Sequence, residues 1–181
     1  MRTRCCSTST RNWWCTRAPD RRQVSGGPGD TGTVRSVVSG GAILLTAGPV
    51  LPGATAAYLA SVASPVVYAV GGPAAAADPR ATALVGADRY ATSALVAGHF
   101  FPGRTLVGVA TGLAFPDALA ASPYLGSRQA PVLLVPRTGT LPAADASYLT
   151  GAPTIGSAVV FGGLAAVSDQ VASEVQAALG A

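Results

Sequence analysis

The chain has 181 residues, of which 49% are hydrophobic and 11% charged, with 22 glycines and 14 prolines. So few charges exclude a disordered polyelectrolyte, and the apolar share is enough to fill the core of one domain or of one to two small repeated modules. The formal net charge of +4 would suit a nucleic-acid or anionic-surface binder, but the charge is unevenly placed. Up to residue 35, seven arginines oppose two aspartates, a net +5; beyond it five arginines oppose five aspartates and Glu174, a net −1. The body of the chain therefore has no basic patch for phosphates, and nucleic acid is not expected as a partner.

Residues 1–35 form a basic leader that also holds all three cysteines (Cys5, Cys6, Cys15) and both tryptophans (Trp13, Trp14). It has no apolar stretch followed by a small-residue cleavage site, so no signal peptide is visible. Its cysteines lack the histidine or fourth cysteine of a closed zinc site. No hydrophobic period runs through it, which predicts disorder. The chain contains no lysine, one asparagine and two isoleucines, as very GC-rich coding produces. Wrong reading frames stay open in such coding, and the leader is read as a misread start or frameshift in preference to a genuine basic tail.

From Ser36 to Ala77 no residue is charged, a length that could span a bilayer. Pro49, Pro52, Pro65 and Pro73, with the pairs Gly40-Gly41 and Gly71-Gly72, leave no uninterrupted helix of about 20 residues. The stretch is expected to be buried strands and short helices, with no membrane span. It also recurs further on. Gly41 to Thr46 (Gly-Ala-Ile-Leu-Leu-Thr) returns as Ala130 to Val135, Leu51-Pro52 as Leu141-Pro142, Tyr58-Leu59 as Tyr148-Leu149, and the apolar run before Gly71-Gly72 as that before Gly162-Gly163. Landmarks that keep their order at a nearly constant offset indicate tandem repeats of about 90 residues. Residues 36–79 are then the back half of a first repeat, and residues 80–181 a complete second one.

In the complete repeat, Asp88 is placed to cap a helix from Arg89 to about Gly98, with Ala91, Leu95 and Val96 turned inward. Thr105 to Thr111 reads as a strand and Pro116 to about Ser127 as a helix, with Pro116 in the first turn and Asp117 beside the positive helix end. Pro131 to Val135 is a second strand, Leu141 to Leu149 a helix and Ser157 to Phe161 a third strand. A last helix runs from Ser168, its N-cap, to Leu179, with Val171, Val175 and Leu179 on one face. Apolar strands alternating with helices predict an α/β fold, a short parallel sheet flanked by helices.

These landmarks resemble the type-two cell-wall-binding repeat. The resemblance rests on Gly86-Ala87-Asp88-Arg89-Tyr90-Ala91-Thr92-Ser93-Ala94, Ala110-Thr111-Gly112 with Phe115-Pro116-Asp117-Ala118-Leu119-Ala120-Ala121, Ala130-Pro131-Val132-Leu133-Leu134, Phe161-Gly162-Gly163 and Ala166-Val167-Ser168. It covers about residues 38–181, and the five motifs in order are far more specific than any one. It implies a non-catalytic module, usually one of three packed α/β repeats, that anchors secreted or surface proteins of Gram-positive bacteria to an anionic cell-wall polymer. It also implies a role in attachment for an Ile-Leu-Leu-type triplet, which falls on Ile43-Leu44-Leu45 and on Val132-Leu133-Leu134. Only about one and a half repeats are present, so the chain is expected to be a truncated fragment with repeat faces free for self-association.

For chemistry the residues offer little. His99, the only histidine, has no nucleophile motif to serve and is expected at the surface. Asp117 follows a parallel strand, where open α/β sheets bind ligands, but it equally suits a helix start. Asp88 and Arg89 either cap and pair locally or let Arg89 hold an anionic group. The glycine pairs make neither a dinucleotide fingerprint nor a P-loop. No catalytic triad, metal cluster or cofactor site is expected. The candidate ligand-binding residues are thus Ile43, Leu44, Leu45, Val132, Leu133, Leu134, Arg89, Asp88 and Asp117. Two other readings are a small α/β hydrolase acting on cell-wall glycan or peptide through Asp117 and Arg89, and a remnant without function.

Overall fold

The computed structural model describes the backbone of residues 22–25 and the whole of residues 42–62 and 66–180. The chain divides into two compact units, between Leu84 and Val85. The first contains β1 (Arg22–Ser25), β2 (Ile43–Leu45), α1 (Gly53–Ala60), β3 (Val67–Val70), α2 (Gly72–Ala77) and β4 (Thr82–Leu84). The second contains α3 (Arg89–Phe100), β5 (Leu106–Thr111), α4 (Pro116–Arg128), β6 (Val132–Val135), α5 (Ala143–Gly151), β7 (Ser157–Phe161) and α6 (Asp169–Leu179). Among the described residues no helix is long and apolar enough to cross a membrane.

Both sheets are parallel. In the first unit the order is β2-β1-β3-β4, with Val24 opposite Leu44 and Ala69, and Ala69 opposite Ala83. In the second it is β6-β5-β7, with Val109 opposite Leu133 and Val160. Two of these strands come from unexpected places. β1 lies within the leader, where no regular structure was expected; the rest of residues 1–35 falls outside the described residues. β4, which the repeat offsets assign to the second repeat, pairs with β3 in the sheet of the first unit. Strand pairing is non-local, and three or four residues give no period from which to read it.

In the second unit side chains alternate between the two faces of the sheet. Val107, Val109, Leu133 and Val135 meet Ala94, Ala97, Leu149, Val171 and Val175 on one face. Ala110 and Leu134 meet Ala118 on the other. Helices α3, α5 and α6 thus cover one side and α4 the other, as continuous apolar strands require. Helix α6 follows its sequence reading closely: Ser168 Oγ accepts from Val171 N–H at 3.4 Å, and Val171 and Val175 are buried. Helix α3 differs from its reading. Its inward residues are Thr92, Ser93, Ala94, Val96 and Ala97, whereas Leu95 is exposed. Small side chains let the helix lie close to the sheet, so the larger Leu95 occupies the outer side.

Ser93 shows what that closeness provides. Its hydroxyl donates to Tyr90 O at 2.8 Å and accepts from the Leu134 N–H at 3.0 Å. Strand β6 is at the edge of its sheet, and an unpaired edge amide that is also buried is costly. Ser93→Ala orphans this N–H and is expected to lower stability by about 1–3 kcal/mol, measured as a reduced urea midpoint with secondary structure retained.

Candidate ligand-binding site

The Gly86 to Ala94 motif builds the start of α3. Asp88 Oδ1 accepts from the Ala91 N–H at 2.8 Å, closing the first turn as an N-cap. Thr92 Oγ1 accepts from the Gly86 N–H at 3.0 Å and donates to Asp88 O at 2.8 Å. Asp88 is therefore occupied locally. Arg89 leaves the helix toward the end of β5, where its Nη1 donates to Gly112 O. A side chain added to Gly112 would strike Tyr90 Cε1 at 2.7 Å and Arg89 Cδ at 3.1 Å, so glycine is what admits these two side chains.

Asp117 lies in the first turn of α4, half-buried, at the same end of the sheet. Its Oδ2 is 2.6 Å from where a side chain on Gly162 would begin, and Gly162, just past β7, has φ +107°. Ala110 stands opposite Phe161 in the ladder, so Gly112 and Gly162 follow neighbouring strands. Arg89 and Asp117 are thereby brought to adjacent strand ends, at the carboxyl edge where parallel sheets place ligands. The Gly112 N–H donates to Val135 O at 2.9 Å and Thr111 Oγ1 accepts from the Leu113 N–H at 3.2 Å, which fixes the rim.

The two apolar triplets lie elsewhere. Ile43-Leu44-Leu45 is strand β2 and Val132-Leu133-Leu134 opens strand β6, each at one edge of its own sheet. Leu44, Leu133 and Leu134 are buried; Ile43, Leu45 and Val132 are half-buried. Most of this surface faces protein. His99 is exposed and stacks edge-on against Phe100, with ring centres 4.6 Å apart. Among the described residues no three His, Cys, Asp or Glu side chains are grouped to hold a metal.

One group was missed in sequence. Asp145, in the first turn of α5, is completely buried, and neither carboxylate oxygen has a hydrogen-bond partner among the described residues. Burial, with the nearby charge of Asp88, pushes its pKa from 3.8 up to about 8. The helix N-terminus favours the anion by roughly 0.3–1 kcal/mol, and desolvation outweighs it. The signal was present: Asp145 stands four residues before Leu149 on the inward stripe of the helix and four after the apolar Leu141 that precedes it, and the repeat offset sets Asp145 opposite Thr55.

The comparisons with known proteins fit this architecture. Residues 83–172 match the family described as cell wall binding domain 2 (CWB2). Cwp8 from Clostridium difficile is a structural neighbour with TM-score 0.68 and 20% identity, covering 89% of this chain and 30% of its own. Cwp6 from Clostridium difficile is another, with TM-score 0.69 and 22% identity, covering 87% and 28%. At such identities the likeness is one of fold, and this chain spans about three-tenths of each neighbour. No curated protein matches the chain. The matched span begins within β4 and runs through the Gly86 motif, the Arg89 and Asp117 rim and the start of α6, and over residues 83–172 the chain belongs to the cell wall binding domain 2 (CWB2) family, a family of cell-wall-binding modules.

Proposed function

We propose that the chain is a non-catalytic module that holds a secreted or surface protein at the cell wall by binding an anionic wall polymer. The observation that carries this reading is the family match over residues 83–172. The rim of the second sheet supports it with a cation suited to such a ligand. Arg89 gives one donor to Gly112 O and keeps others for a phosphate or carboxylate, which a guanidinium grips through paired N–H bonds. Asp117, in the first turn of α4 beside the end of the neighbouring strand, is suited to accept from a sugar hydroxyl. The triplets act indirectly in this reading, by fixing the edge strands from the core. Binding is multivalent: weak sites on several repeats add through effective concentration.

Co-sedimentation with purified Gram-positive cell walls, before and after acid removal of their secondary polymers, tests the proposal. Binding is expected on intact walls and lost on stripped ones. Arg89→Ala is expected to weaken it at least tenfold and Arg89→Lys less, since lysine keeps the charge but not the fork. Arg104, which donates to Gln129 Oε1 at 2.7 Å, lies away from this rim, and Arg104→Ala controls for loss of charge. Equal binding to stripped walls, or no binding by folded protein, overturns the reading.

A further inference from the structure

The two sheets correspond strand for strand, β2-β1-β3 to β6-β5-β7, but among the described residues only the first is continued by a fourth strand, β4. The Gly71 N–H at the end of β3 donates to Leu84 O at 3.0 Å. Strand β4 stands directly ahead of the Gly86 motif. In sequence it therefore leads the following repeat, while in space it closes the sheet of the preceding unit. We infer that the open edge of β7 is a docking site for an incoming parallel strand supplied by another repeat of this type.

The repeat offset places Ala69 on Val160, Val70 on Phe161 and Gly71 on Gly162. Both glycines have positive φ, +86° and +107°. Under β4, Ala69 is fully buried, whereas Val160 on the uncovered strand is 38% exposed, and Leu164 just beyond it 68%. The edge also lacks the usual protection. Strand β6 has its amide taken by Ser93, but Ser157–Phe161 contains no proline and no charge that would deter pairing. A row of free backbone groups with apolar side chains is what strand addition uses. The register follows from Tyr68–Thr82, Ala69–Ala83 and Val70–Leu84. An incoming Thr-Ala-Leu strand would set its alanine opposite Val160 and accept from the Gly162 N–H on its leucine carbonyl. None of this depends on the wall polymer.

The test uses the full chain extended past Ala181 by a Gly/Ser linker of about 12 residues, with a root-mean-square reach of roughly 20 Å, and a copy of residues 79–87. Amide shifts and exchange are read by NMR, with no cell wall present. Shifts confined to Val159 to Gly162 are expected, with Gly162 exchange slowed at least fivefold. Both should vanish when the appended copy carries Ala83→Pro, or when the edge carries Val160→Lys. Gly162 exchange that the appended strand leaves unchanged, or shifts that fall elsewhere and survive Ala83→Pro, overturn the inference. Either result leaves the wall-binding assay unaffected.

Discussion

Asp145→Thr is expected to abolish most of the loss of stability that the chain undergoes as pH rises from 5 to 8. The carboxyl is fully buried without a partner, and its folded-state pKa is raised from 3.8 to about 8. Below about pH 4 it is protonated whether folded or unfolded. Between about pH 4 and 8 only the unfolded chain releases the proton, so each pH unit favours unfolding by about 1.4 kcal/mol. Above about pH 8 both states are ionised and the loss levels off. The full span amounts to at most about 6 kcal/mol, a large fraction of a small domain's stability.

Threonine is the replacement because the chain already uses it. Thr55, at the corresponding position of α1, is buried and donates to Leu45 O at 3.1 Å. A neutral hydroxyl there needs one acceptor, while an ionised carboxylate needs several donors that the site lacks. Urea unfolding followed by circular dichroism at half-unit steps from pH 5 to 9 gives the comparison. The wild-type curve should fall and the variant's stay nearly flat, and the difference isolates this group from every other titration. Parallel curves would mean that Asp145 is ionised in the folded chain.

Much of this architecture can be read from the sequence, and what cannot has a physical cause. Helices α4, α5 and α6 and strands β5, β6 and β7 announce themselves because each carries its own period, cap or flanking glycine. Ser168 and Asp88 serve as caps where local chemistry places them. Strands β1 and β4 escape notice because three or four residues encode no period, and their partners are set by tertiary pairing. Leu95 misleads because hydrophobicity alone does not say that Ser93 and Ala97 make the closer fit. The same holds for the site. Arg89 and Asp117 can be chosen individually, but only the register of β5 and β7 brings them to adjacent strand ends. Asp145 went unread because an acidic residue in a first helical turn looks like a favourable dipole contact; its burial comes from helices packed far along the chain.

Gly86→Ala is expected to be among the most damaging single changes in the second unit, costing about 3 kcal/mol. The added Cβ would lie 2.5 Å from Ala91 C and from Thr92 N, both backbone atoms of α3. Backbone inside a helix cannot rotate away, so the helix start must move. That movement also strains the Gly86 N–H bond to Thr92 and the cap that Asp88 forms. The requirement here is close approach, because no positive φ is involved. Gly108→Ala provides the contrast. Its Cβ would meet Leu125 Cδ1 at 2.2 Å, a nominally worse clash, but with the far end of a flexible side chain that can change rotamer. Gly108→Ala should therefore cost less than Gly86→Ala, the reverse of the order in the distances. Thermal midpoints of the two variants decide it. Because Arg89 hangs from the same helix start, Gly86→Ala should also weaken wall binding at temperatures where the chain is still folded, whereas Gly108→Ala should leave it intact.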